Sequence, residues 1–342
     1  MDPVDALERV TYLLDRALAP SQKSKAFLNA AEVIKALPAG DVERRHEAGT
    51  LKELPGIGDS TAAVIAQALD GRVPDRVVEL EASTTIPVGE GASIRSSLRG
   101  DCHSHSVWSD GGATVHTMAQ TAVALGHEYL VMTDHSPRLT IAHGLTAERL
   151  RNQLEEIEGL NRQLAPFRIL TGIEVDILAD GTLDQDPDLL DELDVVVASV
   201  HSKISMERRA MTERMVVAVA DPRVDILGHC TGRKLRHPDG AVVRAQAQFD
   251  AEVVFAACAQ FDTAVEINCR PERQDPPDEL LAVALEWGCK VSIDTDAHAP
   301  GQLEWQTYGC DKAARHGIEI DDIVNTWAAD DLLAWAASHP AR

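Results

Sequence analysis

Two apolar stripes of helical spacing open the chain. ALERVTYLLDRAL and SKAFLNAAEVIKAL place hydrophobic residues three and four apart, which gathers them on one helix face. Pro20-Ser21 parts the two stripes, Ser21 or Ser24 stands where a cap is needed, and Pro38-Ala39-Gly40 ends the second. In TLKELPGIGDSTAAVIAQALDG, the run Leu54-Pro55-Gly56-Ile57-Gly58 reads as a tight hairpin between two short helices, with Gly71 ending the second. Residues 72–97 lose any sustained period and are rich in Pro, Gly, Ser and Thr, so they read as a linker with at most one short element. From Leu98 the pattern changes. Short apolar runs near 98–105, 128–135, 168–177, 194–202, 224–230, 264–269 and 290–298 alternate with longer helical stretches. Strands separated by helices predict βα units and a parallel sheet, and the regularity favours a closed barrel over an open sheet. The expected organisation is a helical domain over 1–71, a linker over 72–97 and a barrel over 98–342.

Composition adds limits. A chain of 342 residues with 44% hydrophobic and 25% charged residues is an ordinary globular composition, which excludes collagen-like, coiled-coil and mainly disordered chains. No apolar run approaches the ~20 residues of a membrane span. MDPVDALERV is acidic early and has no apolar secretory core. The six cysteines are scattered from Cys102 onward without a CxxC, the usage expected in a reducing cytoplasm. The formal net charge of −23 opposes non-specific binding to a polyanion. Thirteen histidines against 4% aromatics direct attention to metal ligation.

Almost every expected strand ends in metal-ligating residues: Asp101-Cys102-His103-Ser104-His105 followed by Asp110, Asp134-His135, Glu174 with Asp176, His201, His229, and Asp294-Thr295-Asp296-Ala297-His298. Parallel barrels present their sites at the C-terminal ends of the strands. His103 and His105, two apart on a strand, share a face, as do Asp296 and His298. Six imidazoles and three carboxylates converging on one mouth require cations to compensate them. Imidazole suits zinc and iron, and the carboxylates bring harder ions such as manganese within reach. Near the same mouth, Arg233, Arg273, Lys203 and Asn268 are expected to meet a phosphate, with surface ion pairing as the plainer role for any single arginine. Trp108, between His105 and Asp110, either walls the pocket or stacks on a base. The backbone amides of Gly56, Ile57 and Gly58 either contact a DNA phosphate or only pack the small domain. Residues 1–80 hold ten basic and thirteen acidic side chains, so that domain is not strongly cationic.

DCHSHSVWSDG, TDHS, GIEVD, SVHS, LGHCTGR and SIDTDAH together resemble the PHP (polymerase and histidinol phosphatase) superfamily, most closely the PHP module of bacterial family X DNA polymerases. The resemblance covers about residues 98–320, and AVEINCRPER belongs to it. It implies a distorted (β/α)7 TIM-like barrel holding about two to three divalent ions, zinc, manganese or iron. The ligand set it implies is His103, His105, Asp110, His135, Glu174, His201, His229, Asp296 and His298. In that pattern Glu174 bridges two ions, completed by His103, His105 and Asp296 on one side and by His201 and His229 on the other. Asp110, His135 and His298 take a third. Cys102 and Cys230 are small departures that remove no ligand. Residues 1–71 resemble the helix-hairpin-helix domain that opens those polymerases, and the short segment before Leu98 leaves no room for a polymerase palm.

The resemblance implies a metal-dependent phosphoesterase that attacks phosphate esters with a metal-activated water. His103, His105, Asp110, Glu174, Asp296 and Arg233 would carry catalysis, and DNA 3′ ends or nucleotides would be the substrates (3′-5′ exonuclease or 3′-phosphatase). Two alternatives stand beside it. One is a small-molecule phosphatase such as histidinol phosphatase; the other is a non-catalytic DNA-binding scaffold with structural metals. Nothing in the sequence demands a dimer, and no membrane partner is expected.

Overall fold

The computed structural model describes residues 1–339. The chain divides into two compact units, Met1–Pro87 with Pro300–Gln302, and Val88–Ala299 with the residues from Leu303 onward. The first unit is helical: α1 (Pro3–Arg16), α2 (Ser21–Lys35), α3 (Asp41–Glu47), α4 (Asp59–Leu69) and α5 (Asp75–Thr84). Asp2 caps α1 by accepting from the amide of Val4, which satisfies one of the helix's orphan donors. Leu7, Val10 and Leu13 of α1 pack with Phe27, Ile34, Ile57, Ile65, Val77 and Leu80 in one core. Val77 and Leu80 belong to α5, so the segment read as linker contributes a core helix. Arg16, almost buried, donates to Glu81 Oε2 at 3.1 Å and to Thr84 Oγ1 at 2.8 Å, holding α5 on α1.

The second unit begins with a short helix, α6 (Ala92–Ser97), and then alternates strand and helix. Its strands are β1 (Gly100–Ser104), β2 (Tyr129–Met132), β3 (Arg168–Asp176), β4 (Val195–Ser199), β5 (Ile226–Leu227), β6 (Lys234–Arg236), β7 (Ala241–Arg244), β8 (Ala264–Asn268) and β9 (Val291–Asp294). Its helices are α7 (Val115–Ala124), α8 (Ala147–Leu164), α9 (Pro187–Leu190), α10 (Arg208–Val219), α11 (Ala251–Phe261), α12 (Asp278–Glu286), α13 (Gln306–Arg315) and α14 (Ala329–Ala336). Seven parallel strands pair in the order β1-β2-β3-β4-β5-β8-β9. The remaining two, β6 and β7, form a separate antiparallel hairpin that the sequence pattern did not announce.

The barrel closes at a seam between β1 and β9. The seam is thin in backbone pairing: one parallel bridge joins Ser104 and Ala297, and the His105 amide donates to Ala297 O at 2.8 Å. Side chains add to it: the Cys102 amide donates to Asp294 Oδ1 at 2.8 Å, and Thr295, just after β9, donates from its amide and hydroxyl to Asp101 at 3.3 and 2.5 Å.

Inside, Cys102, Tyr129, Val131, Leu170, Val195, Val197, Ile226 and Ala264 pack in one cluster, capped by Val324, Leu332 and Trp335. Strand periodicity carries that inward face up to Glu174 on β3 and to Glu266 and Asn268 on β8. On β1 the register shifts between Asp101 and Ser104. The irregularity changes which side chains face inward, so Cys102 lies in the packed layer while His103 and His105 face the carboxylates above it. Gly228 lies just below this polar layer; a Cβ there would sit 2.3 Å from Ser199 Oγ.

Candidate metal centre

Six strand ends deliver their side chains to one point, and Glu174 is its middle. Glu174 is 1% exposed. Its Oε2 lies 3.4 Å from His103 Nε2, 3.6 Å from His105 Nε2 and 2.8 Å from His135 Nδ1. Its Oε1 lies 3.1 Å from His201 Nε2 and 2.7 Å from His229 Nε2. His105 Nε2 also lies 3.4 Å from Asp296 Oδ1. Asp110, on the exposed rim, stands 3.5 Å from His135 Nε2 and 3.3 Å from His298 Nε2. The structure therefore brings together every residue of the expected ligand set. Three overlapping groups have the spacing that can hold an ion: His105, Asp110, His135 and His298; His103, His105 and Glu174; and His135, Glu174 and His201.

Hydrogen bonding accounts for only part of this cluster, as between His229 Nε2 and Glu174 Oε1 at 2.7 Å. His103 Nε2, both ring nitrogens of His105 and of His201, His135 Nδ1 and Glu174 Oε2 are buried without a hydrogen-bond partner. Buried polar atoms are costly when unpaired. Nitrogen and oxygen atoms that approach without hydrogen-bond alignment are what a shared cation would rationalise. Burial, with His298 and His135 alongside, holds His105 well below the ordinary histidine range. Burial, with Arg273 nearby, pulls His229 down to about 4. In these two rings the neutral, ligating imidazole is favoured; in His103 and His201 burial acts the same way, but the facing carboxylates outweigh it and hold both rings above the ordinary range. For Glu174, burial alone would raise the carboxyl, but the imidazoles of His201, His103 and His135 outweigh it and hold it well below the usual range.

Outer partners orient the ring of histidines. Glu266, fully buried, places Oε1 2.6 Å from His103 Nδ1, and its Oε2 accepts from the His229 amide. Asp176 Oδ1 lies 3.5 Å from His201 Nδ1 and accepts from the His201 amide at 3.1 Å. Asp134 accepts from the amides of Ser106 and Ser109 at 2.9 and 3.1 Å, fixing the loop that leads to Asp110. Glu266 was missed from sequence. Its signal was present in AVEIN, where a lone carboxylate sits among apolar residues of a buried strand.

The expected phosphate-binding residues separate. A cavity of about 230 Å³ opens beside the centre, lined by Asp110, His135, His201, Asp296 and His298, by Leu139, Ile141 and Ala142, and by Lys234, Arg244, Arg270, Glu272 and Arg273. Arg273 faces it and donates from Nε to Asp296 Oδ2 at 2.9 Å. Asn268 lies beneath, donating to Asp296 Oδ2 and Glu266 Oε2, both at 3.2 Å. Arg233 does not face this cavity. Its Nε donates to Arg273 O at 2.9 Å and its Nη2 to Gln274 O, and it lines a neighbouring cavity instead. Lys203 is exposed and lies outside the lining. Trp108 is half-buried and donates to Glu156 Oε2 at 2.7 Å, so its indole faces α8. Outside the centre, His127 and His339 are also buried.

In the helical unit, Ile57 is a core residue whose amide donates to Leu54 O at 3.1 Å. The Gly58 amide donates to Thr61 Oγ1 at 2.9 Å. Of the three expected DNA-contacting amides, two thus have internal partners. Gly56 takes the left-handed turn position, with φ of 86°.

A family model described as the PHP domain matches residues 101–269, and one described as a helix-hairpin-helix domain matches residues 1–73. A "probable phosphatase" of Shewanella oneidensis is 30% identical over 244 residues, covering 68% of this chain and 86% of that protein. The chain belongs to the PHP family. This PHP chain is also 38% identical over 238 residues to the DNA polymerase/3′-5′ exonuclease PolX of Bacillus subtilis, covering 70% of its own length and 41% of that of PolX. It therefore spans less than half the length of that relative. The crystal structure of a Lactococcus lactis histidinol phosphate phosphatase superposes with a TM-score of 0.44 at 18% identity, covering 65% of this PHP chain and 95% of the other. Among the described residues, no helix is long and apolar enough to cross a membrane.

Proposed function

We propose that this PHP protein is a metal-dependent phosphoesterase acting on DNA 3′ ends, as a 3′-5′ exonuclease or a 3′-phosphatase. The observation that carries it is the cluster of buried, unpartnered imidazole nitrogens around Glu174, opening into a cavity walled by arginines. The donor set fits divalent ions: His103, His105, Glu174 and Asp296 would hold one, His201 and His229 with Glu174 a second, and Asp110, His135 and His298 a third. Such ions supply Lewis acidity toward a phosphoryl oxygen and lower the pKa of a water.

The chain's own groups do the rest. Glu266 Oε1 stands 2.6 Å behind His103 Nδ1 and so turns Nε2 toward the other members of the centre. Arg273 engages Asp296 Oδ2 and leaves Oδ1 turned toward His105. Arg270 donates to the Asp296 backbone carbonyl at 3.1 Å and lines the same cavity, so guanidinium charge lies where phosphate charge develops. The helix-hairpin-helix match and the likeness to PolX favour DNA over a small metabolite. A small-molecule phosphatase is the second reading. It is favoured by the ion pairing of the helical unit's cations, such as Lys52 with Asp59 at 2.8 Å and Arg44 with Asp41 at 2.6 Å.

The test is Mn-loaded protein beside its His103→Ala variant on 5′-labelled DNA with a 3′-OH, the same strand with a 3′-phosphate, histidinol phosphate and nucleoside monophosphates. Wild-type-only processing of DNA ends is the expected result. Turnover confined to the small phosphates selects the second reading, and equal behaviour of both proteins removes the enzyme assignment.

A further inference from the structure

The β6–β7 hairpin reverses the charge of the chain locally. Between Arg233 and Arg244 stand four cations, Arg233, Lys234, Arg236 and Arg244, and one carboxylate, Asp239, in a chain of formal net charge −23. Asp239 pairs with Arg236 at 2.7 Å, and Arg233 is held by the carbonyls of Arg273 and Gln274. That leaves Lys234 and Arg244, which the register sets directly opposite one another. Like charges facing across paired strands destabilise a hairpin. Relief is partial: Lys234 reaches Glu272 at 3.5 Å, and Arg244 Nε donates to Gly232 O at 2.8 Å. Both cations line the cavity of the metal centre, beside Arg270 and Arg273.

The hairpin is also anchored. The Leu235 amide donates to Glu272 O at 2.7 Å, and Leu235 itself is buried. The turn it grips is the one whose Arg273 holds Asp296. Lys234 and Arg244 therefore stand at a fixed place relative to the metal centre. The cavity, at about 230 Å³, falls below the roughly 300 Å³ at which small-molecule pockets begin. It takes a phosphate with part of a nucleoside, and anything larger must continue outside it. On β7, Val242 and Val243 are 70% and 61% exposed, giving an emerging base an apolar surface to cover.

We infer that Lys234 and Arg244 form a second phosphate subsite, so that the substrate is a DNA strand with one phosphodiester on the hairpin and its neighbouring phosphate at the metal centre. This rests on the phosphoesterase reading and narrows it: a strand carrying adjacent phosphates is preferred over a lone phosphomonoester.

The experiment is binding, read by anisotropy competition on the Mn-loaded 342-residue chain. The probes are a thymidine trinucleotide with two phosphodiesters and the same trinucleotide with a neutral methylphosphonate in place of one of them, tested in each position. Wild type is expected to prefer the fully charged trinucleotide by roughly tenfold, a charge-assisted contact. Lys234→Gln/Arg244→Gln should bring the preference within about twofold at one of the two positions, the other being set by the metal centre, and its log–log salt slope should shrink by about 0.7 per lost contact. Arg244→Lys, which keeps the charge, should retain most of the preference and guards against a variant that fails to fold. Wild-type discrimination below twofold, or full discrimination at both positions in the double variant, overturns the subsite. Turnover of phosphate esters without discrimination sinks the subsite alone. Discrimination without turnover of any ester sinks the phosphoesterase reading and leaves the subsite standing.

Discussion

Replacing Glu266 by Gln probes the metal centre without touching any proposed ligand. The substitution keeps shape and volume but removes the charge that faces His103 Nδ1 at 2.6 Å. Burial pulls His103 down, yet Glu266 and Glu174 together hold it well above the ordinary histidine range, so the carboxylate pair dominates this ring. A carboxylate behind a ligating histidine fixes its tautomer and raises its basicity, and losing one costs about 10–100-fold in metal affinity. That equals about 1.4–2.8 kcal/mol. At saturating ion, binding stabilises the fold by its own free energy, and a kilocalorie shifts a barrel of this size by about 2–4 °C. The gap in Tm between metal-loaded and metal-free protein should therefore shrink by roughly 3–11 °C in Glu266→Gln. Chelator competition gives the affinity directly, and the loaded-minus-free comparison cancels any effect on the metal-free fold. A variant whose affinity stays within twofold of wild type refutes the role assigned to Glu266 and, with it, the placement of His103 in the centre.

Burial, with Arg95 nearby, pulls His127 from its ordinary value to about 3. Its stabilising share is then complete above pH 6.5 and lost as pH falls toward 3, by about 2 kcal/mol at pH 5; urea melts of His127→Gln at pH 7.5 and 5 should show a flatter acid limb. Burial lifts the Asp15 carboxyl to about 6, so the folded state binds that proton more tightly and stability declines as pH rises from about 4 to 6. Asp15→Asn should stabilise the helical unit by on the order of 1–3 kcal/mol at pH 7 and hardly at all at pH 3.5, read by the same melts. Gly228→Ala would bring a Cβ to 2.3 Å from Ser199 Oγ, and should cost about 1–3 kcal/mol of stability with weaker metal retention through displacement of His229.

The strand ends were legible because buried parallel strands read as apolar runs and their terminal residues broke that pattern with imidazoles and carboxylates. Glu266 escaped because it lies inside such a run, where a single acidic residue looks like an edge of the strand; only the inward parity shared with Ala264 and Asn268 exposes its role. The β6–β7 hairpin escaped because KLR and AVVR are too short to show a period of two. The helix α5 escaped because Pro, Ser and Thr around it resemble a linker, while Val77 and Leu80, three apart, were the overlooked stripe. Arg233 was misjudged for another reason. Its position after His229 is sequential, whereas its direction is set by the carbonyls of Arg273 and Gln274, which only the folded chain brings near.

The thin join between β1 and β9 makes the barrel resemble a hoop with an unfinished weld. His105 lies on one lip and Asp296 on the other, 3.4 Å apart across it. An ion shared by the two would act as a rivet, tying the first strand of the barrel to its last over nearly 200 residues of intervening chain. Occupancy would then be felt as mechanical closure, and the His105 amide, whose acceptor is Ala297 across the join, would exchange its hydrogen more slowly in the riveted hoop than in the open one.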